Sequence, residues 1–328
     1  MANGLISTTS VPPFDQAGAM IDLSIVVPVY RGSATIRELY RRVVEVVQAH
    51  GLTFEILFVE DCGGDDSWAI IQTLAAEDRR VRGFRMQRNY GQENALLAGI
   101  RAARGQTIAT LDDDLQHPPE ELPKLLDKLR DDFDVVYGSP QREQHSFLRN
   151  VASRITKIAL QTSMGVEAAR YISSFRVFRT SLRDAFSEYR SSSVSIDVLL
   201  IWATDRFAVV RVDHQSRQHG DSGYTAIKLM RHAVNMATGF TTLPLRLASL
   251  IGFAFATFGI LMLGYVLLEY FIRGNPVPGF PFLASIITLF SGAQLVALGI
   301  VGEYLARMYQ RSMGKPAYLV RETTEPRT

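Results

Sequence analysis

Two long stretches near the C-terminus restrict this chain more than anything else in it. Residues 247–272 carry a single charge, Glu269, and residues 279–302 carry none. A hydrocarbon core about 30 Å thick takes roughly 20 helical residues to cross, and a soluble core helix seldom stays apolar around its whole circumference for that length. The stretches read as two transmembrane helices, with a buried helical hairpin as the alternative. Residues 273–278 between them are few and rich in Pro and Gly, so the pair makes a tight hairpin whose outer ends share one side of the membrane. Lys228, Arg231 and Arg246 precede the first span and Arg307, Arg311 and Lys315 follow the second, against Arg273 alone in the turn. That asymmetry places both termini in the cytoplasm.

The flanking segments follow from the same reasoning. Residues 1–21 have no apolar core and no basic start, so they read as a loose leader rather than a signal peptide. Residues 225–246 hold Ile227, Met230, Val234 and Ala237 at helical spacing with Lys228 and Arg231 elsewhere around the turn. They read as a juxtamembrane amphipathic helix, with an ordinary packing helix as the alternative. Residues 307–328 form a cytoplasmic tail. The formal net charge of +2 and the lack of a basic run give no pull toward nucleic acid. A single cysteine, Cys62, excludes an intrachain disulfide and any Cys-based zinc site.

Residues 22–224 alternate strand and helix. The run 23–30 (LSIVVPVY) is almost wholly apolar, and Ser33 can cap a following helix whose Ile36, Leu39, Tyr40, Val43, Val44 and Val47 share one face. Strands at 54–60, 81–86, 107–112 and 134–137 then alternate with helices at 66–78, 92–103 and 119–130. Such a series makes an α/β fold: a Rossmann-like, mostly parallel sheet with helices on both faces, joined by right-handed crossovers. Ligands bind such sheets at the carboxyl ends of the strands. Neither G-x-G-x-x-G nor G-x-x-x-x-G-K-[ST] is present, so hydride transfer and P-loop phosphoryl transfer lose their main support.

Three strand ends carry polar clusters: Pro28-Val29-Tyr30, the acidic run from Glu60 and Asp61 to Asp66, and Asp112-Asp113-Asp114. Adjacent carboxylates repel unless a cation or hydrogen-bond donors offset them. On an extended backbone Asp112 and Asp114 point to one side and Asp113 to the other, and oxygen ligands of this kind, with Gln116 in reach, suit Mg²⁺ or Mn²⁺. A solvated acidic loop, or Asp114 as a helix cap, remains open at this point.

The run Asp112-Asp113-Asp114-Leu115-Gln116-His117-Pro118-Pro119-Glu120 is similar to the D-x-D-L-Q-x-P-P-E signature of the polyprenyl-phosphate glycosyltransferases. These are inverting family 2 enzymes of the GT-A fold, resembling dolichyl-phosphate mannose synthase. Val27-Pro28-Val29-Tyr30, Glu60-Asp61, Arg88-Asn89-Tyr90-Gly91-Gln92, Pro244-Leu245-Arg246 and Gly302-Glu303-Tyr304 add to the resemblance, the last in the manner of the bacterial branch with two membrane helices.

The resemblance implies a nucleotide-binding set of Pro28, Tyr30, Glu60, Asp61, Asn89, Gly91, Asp112 and Asp113. It implies Asp112 and Asp114 as catalytic residues, Asp112, Asp114 and Gln116 around Mg²⁺ or Mn²⁺, and Arg142, Arg149, Arg217 and Ser222 at the acceptor phosphate. Core packing for Tyr30 and a plain turn for Asn89 and Gly91 are the competing roles. The chain departs from the family pattern at Pro140, at Ser174, where relatives often carry Asp, and at Gly223, which stands in a lysine's place. The implied reaction moves a sugar, a hexose carried by UDP, to undecaprenyl phosphate at the inner membrane. Glu269 and Gln294, polar residues in or near the spans, read as contacts for a homo-oligomer, with snorkelling or local packing as the alternative. A processive polysaccharide synthase fits less well, since two spans cannot enclose a polymer channel and no Q-x-x-R-W occurs. A membrane-anchored scaffold that has lost turnover is the non-enzymatic alternative.

Overall fold

The computed structural model describes residues 20–140, 172–187, 189, 194–213, 243–273 and 279–325. The leader, most of the expected juxtamembrane helix, and Arg142, Arg149, Arg217 and Ser222 lie outside the described residues. The described residues fall into two compact units, one of residues 20–140, 172–213 and 315–325 and one of residues 243–273 and 279–314.

The first unit opens with β1 (Leu23–Val29), α1 (Ile36–Ala49), β2 (Phe54–Glu60), α2 (Ser67–Glu77), β3 (Val81–Met86), α3 (Gln92–Ala102) and β4 (Thr107–Thr110). A 3-10 turn at Pro119–Glu121 leads into α4 (Leu122–Leu129) and β5 (Val135–Pro140). Next come β6 (Arg176–Arg179), a 3-10 segment at Thr180–Phe186, α5 (Ile196–Ala203) and β7 (Phe207–Val212). The last strand, β8 (Val320–Thr323), arrives only after the two long helices.

The eight strands form one sheet in the order β7-β5-β6-β4-β1-β2-β3-β8. Only β6 and β8 run against the rest. The neighbouring interior strands β1 and β2 are buried along their whole length, as parallel strands covered on both faces must be. Leu23, Ile25, Val27 and Val29 face a core with α1, α2 and α4, whereas Val26 faces one with α3 and α5. Right-handed crossovers dictate this arrangement: α1 and α2 share a face while the chain steps outward from β1 to β3, and α3 takes the other face as the chain returns past β1 to β4.

Three local expectations need correction. Helix α1 starts at Ile36 with Thr35 at its N-cap, while the Ser33 amide donates to Asp65 Oδ2 at 3.1 Å, so Ser33 does not cap it. Strand β4 ends at Thr110, not Asp112, which removes the extended geometry assumed for the three aspartates. The C-terminal segment is no free tail: β8 pairs antiparallel with β3, and Arg82 Nε donates to Glu325 Oε1 at 2.7 Å while its Nη1 donates to the buried Glu55 at 2.8 Å.

The second unit holds α6 (Leu243–Arg273) and α7 (Phe280–Ser312). Within them Ala248–Tyr265 and Leu289–Tyr309 are long and apolar enough to cross a membrane. The helices meet through Phe290, which lies edge-on to Phe255 at 5.3 Å and stacked with Phe258 at 6.3 Å between ring centroids.

Candidate active site

The strand order reverses between β1 and β4, where loops leaving parallel strands turn apart and open a crevice. Pro28 helps to open it. The Val26 carbonyl accepts from Leu111 N at 3.2 Å, and the next ladder donor toward β4 would be the N–H of residue 28, which proline lacks. Pro28 itself is buried within β1 beside Val59.

Backbone strain gathers at the same edge. Arg31 after β1, Cys62 after β2 and Leu115 beyond β4 have φ of 58°, 52° and 61°, three of the four non-glycine residues at positive φ among those described. A side chain in that region costs about 1–2 kcal/mol, so neighbours must hold it there. Arg31 Nε donates to Gly63 O at 3.1 Å, Cys62 Sγ to Met86 O at 3.2 Å, and Leu115 is buried.

The acidic pair after β2 braces the loops. Asp61, buried, accepts from Tyr90 N at 2.7 Å and Gly91 N at 2.8 Å, fixing the start of α3, where Gly91 at φ 90° takes a conformation that a side chain would strain. Burial raises the Asp61 pKa, and the two amide donors hold that rise back. Glu60 accepts from Gly63 N at 2.7 Å, with Arg85 Nε 3.3 Å from its other oxygen. Asn89 is exposed, and so is Tyr30, about half of whose surface is accessible, which excludes core packing for the tyrosine.

The three aspartates sit in a turn facing this edge. Asp113 crosses the crevice to accept from Tyr30 N at 3.2 Å. Burial, reinforced by its two acidic neighbours, pushes Asp113 up to about 7. Asp114 Oδ1 accepts from Gln116 N at 3.1 Å, an Asx turn that reverses the chain ahead of α4. Asp112 Oδ1 accepts from Gln92 Nε2 at 2.6 Å and Oδ2 from Ser174 Oγ at 2.5 Å. Among the described residues no three His, Cys, Asp or Glu side chains gather as a ready-made cage for an ion. Two carboxylates and an amide nevertheless fit Mg²⁺ or Mn²⁺, which commonly complete their shells with water and substrate phosphate.

Beneath Asp112 lies a buried polar network that sequence reasoning missed. Arg176 of β6, 1% exposed, pairs with Asp197 of α5 and donates through Nε to Thr110 Oγ1 at 3.1 Å. Tyr137 Oη donates to Asp197 at 3.0 Å, and Glu93 accepts from Ile196 N at 2.8 Å. Burial opposes the Arg176 charge, but the Asp197 and Glu93 carboxylates outweigh it and raise its pKa. Burial also pushes Glu93 up to about 7, against the pull of Arg176. These residues are far apart in sequence, and only the sheet order makes them neighbours. The one sign in the chain was the pair of arginines bracketing Val177-Phe178.

Comparisons with known proteins identify the family. Residues 24–188 match the family described as Glycosyl transferase family 2. An undecaprenyl-phosphate 4-deoxy-4-formamido-L-arabinose transferase of Shewanella sediminis is 37% identical over 303 residues, 92% of this chain and 92% of the relative. A protein of the same description from Pseudomonas paraeruginosa is 36% identical over 304 residues, 92% of this chain and 90% of its own. Glucosyl-3-phosphoglycerate synthase of Mycobacterium tuberculosis, solved with Mn²⁺, UDP and phosphoglyceric acid, has a TM-score of 0.51 at 17% identity, over 66% of this chain and 76% of that one. This last likeness shows the GT-A fold.

Proposed function

This chain belongs to glycosyl transferase family 2, and we propose that it moves a sugar from a UDP-sugar to undecaprenyl phosphate, with inversion at the anomeric carbon. The observation that carries the reading is the turn of three aspartates held across the crevice from Tyr30. The names of the two relatives add the lipid acceptor and direct the choice of sugar: a 4-deoxy-4-formamido-L-arabinose donor is the first to test, beside the UDP-hexoses that the motifs favour.

The acceptor needs little activation. A phosphate monoester has its second pKa near 6, so it is mostly dianionic at neutral pH and attacks without a strong general base. The protein's work is to hold two anionic reactants together and to offset charge on the departing diphosphate. Tyr30, Asn89 and Gly91 line the base and ribose pocket, with Glu60 and Asp61 bracing its loops. Asp112 and Asp114, with Gln116, would hold Mg²⁺ or Mn²⁺, which when bound would neutralise negative charge on the leaving group. Arg142, Arg149, Arg217 and Ser222 complete the reading at the acceptor phosphate.

The hairpin fits a lipid substrate whose head group lies at the interface. We place the first unit on the cytoplasmic face of the inner membrane, from the excess of Lys and Arg outside the hairpin. Self-association is part of the proposal, with Gln294 lining an otherwise apolar groove between α6 and α7 where a second copy would dock.

The deciding experiment incubates the purified full-length protein with radiolabelled UDP-sugars, a short polyprenyl phosphate and Mg²⁺ or Mn²⁺. Label is expected in an organic-extractable lipid. Long insoluble polymer would identify a synthase instead, and no transfer from any donor would leave the scaffold.

A further inference from the structure

We propose that Ser174 is a positioning residue that fixes the Asp112 carboxylate for the reaction, an inference that rests on the glycosyl-transfer reading above. Asp112 lies beyond the end of β4, in a turn with two further carboxylates, where backbone geometry alone does not set its orientation. Among the described residues, Gln92 at the start of α3 donates to Oδ1 at 2.6 Å and Ser174 to Oδ2 at 2.5 Å. An ionised carboxylate only accepts, so the single hydroxyl proton of Ser174 is committed to Asp112. Hydrogen bonds to a charged acceptor are the strong kind and hold geometry well.

Ser174 is itself held from below. Its carbonyl accepts from Thr110 Oγ1 at 2.5 Å. Thr110 accepts from Arg176 Nε at 3.1 Å, and because a guanidinium only donates, the threonine proton is left for Ser174. Arg176 is wholly buried and pinned by Asp197. The next residue, Phe175, is fully buried and accepts from Gly138 N at 2.9 Å. The buried β4–β6 ladder therefore holds one oxygen of Asp112 through the Ser174 hydroxyl, while Gln92 of α3 holds the other. No substrate contact is needed for Ser174 to act in this way.

The test compares wild type with Ser174→Ala and Ser174→Thr, all full-length. Three quantities are read: Mn²⁺ affinity from the paramagnetic resonance of free ion, kcat and KM for sugar transfer, and the melting midpoint. Ser174→Ala is expected to weaken Mn²⁺ binding about tenfold or more and to lower kcat by a similar factor, as loss of partners that orient metal ligands does. KM for the polyprenyl phosphate stays level and the midpoint moves by less than about 3 °C. Ser174→Thr, which keeps the hydroxyl, restores most of both losses. An active wild type beside a Ser174→Ala protein of unchanged Mn²⁺ affinity and kcat overturns the role of Ser174 alone. Loss of the midpoint without rescue by threonine overturns it in favour of a merely structural serine. A wild type that neither binds Mn²⁺ nor transfers sugar overturns the underlying reading as well.

Discussion

Gly32 stands so close to Asp113 that a Cβ on residue 32 would lie 2.4 Å from the carboxylate oxygen Oδ2. The same oxygen accepts from Tyr30 N, so the glycine leaves room for the contact that closes the crevice between β1 and β4. In Gly32→Ala the carboxyl, being the movable partner, gives way and the Tyr30 bond breaks. Stability should fall by only about 1 kcal/mol, the worth of one such bond. UDP binding, followed by calorimetry, is expected to drop about tenfold, since a 1.4 kcal/mol loss has that effect.

Asp112→Asn and Asp114→Asn keep shape and remove charge. Each is expected to lower kcat about a hundredfold or more, the usual effect of deleting one group that stabilises transition-state charge. The melting midpoint should stay close to that of wild type. Full activity in either variant would exclude a charge-based role for that residue.

Glu93 predicts a pH dependence of stability. Its folded pKa of about 7 lies above the ordinary carboxylate value of 4.5, so between those limits the folded state holds a proton that the unfolded chain has released. Stability is then greatest below about pH 4.5, declines as pH rises through 7, and is flat beyond it as far as this group is concerned. Asp113, also raised to about 7, adds a decline over the same range, so Glu93→Gln, neutral throughout, should make the decline shallower without abolishing it in denaturant titrations at pH 5, 6, 7 and 8. A decline of the same slope in the variant would assign it to another group.

Arg82 joins two buried or half-buried acids, Glu55 of β2 and Glu325 beyond β8. Arg82→Ala strands Glu55 in the sheet, and chemical denaturation should show a loss of about 3–5 kcal/mol. Glu325→Ala leaves the Arg82–Glu55 pair intact, and its loss should be nearer 1–2 kcal/mol.

The alternation of short strand and longer helix patterns made the parallel half of the sheet readable in advance: 54–60 and 81–86 are the observed bounds of β2 and β3. The strands flanking it were not readable. Arg176–Arg179 is a four-residue strand beginning and ending in arginine, held by its ladders with β4 and β5, and Arg176 is buried there with Asp197 as its partner. Val320–Thr323 keeps three of four side chains exposed, so it shows no hydrophobic alternation, and its partner β3 is over two hundred residues earlier. In the site, the extended backbone expected for Asp112, Asp113 and Asp114 gives way to a turn, made by Leu115 at positive φ. Pro28 ends a ladder because it lacks an N–H at the register position that would donate to β4, an effect that needs the observed pairing as well as the residue type.

The late arrival of β8 bears on how a water-soluble version of this protein could be prepared. Ending the polypeptide ahead of residue 243 would remove β8 along with the hairpin, baring the main-chain edge of β3 and depriving Arg82 of Glu325. A naked edge of that kind recruits other chains and precipitates. Replacing only the two long helices with a glycine-serine linker would retain β8 and Glu325 in the chain.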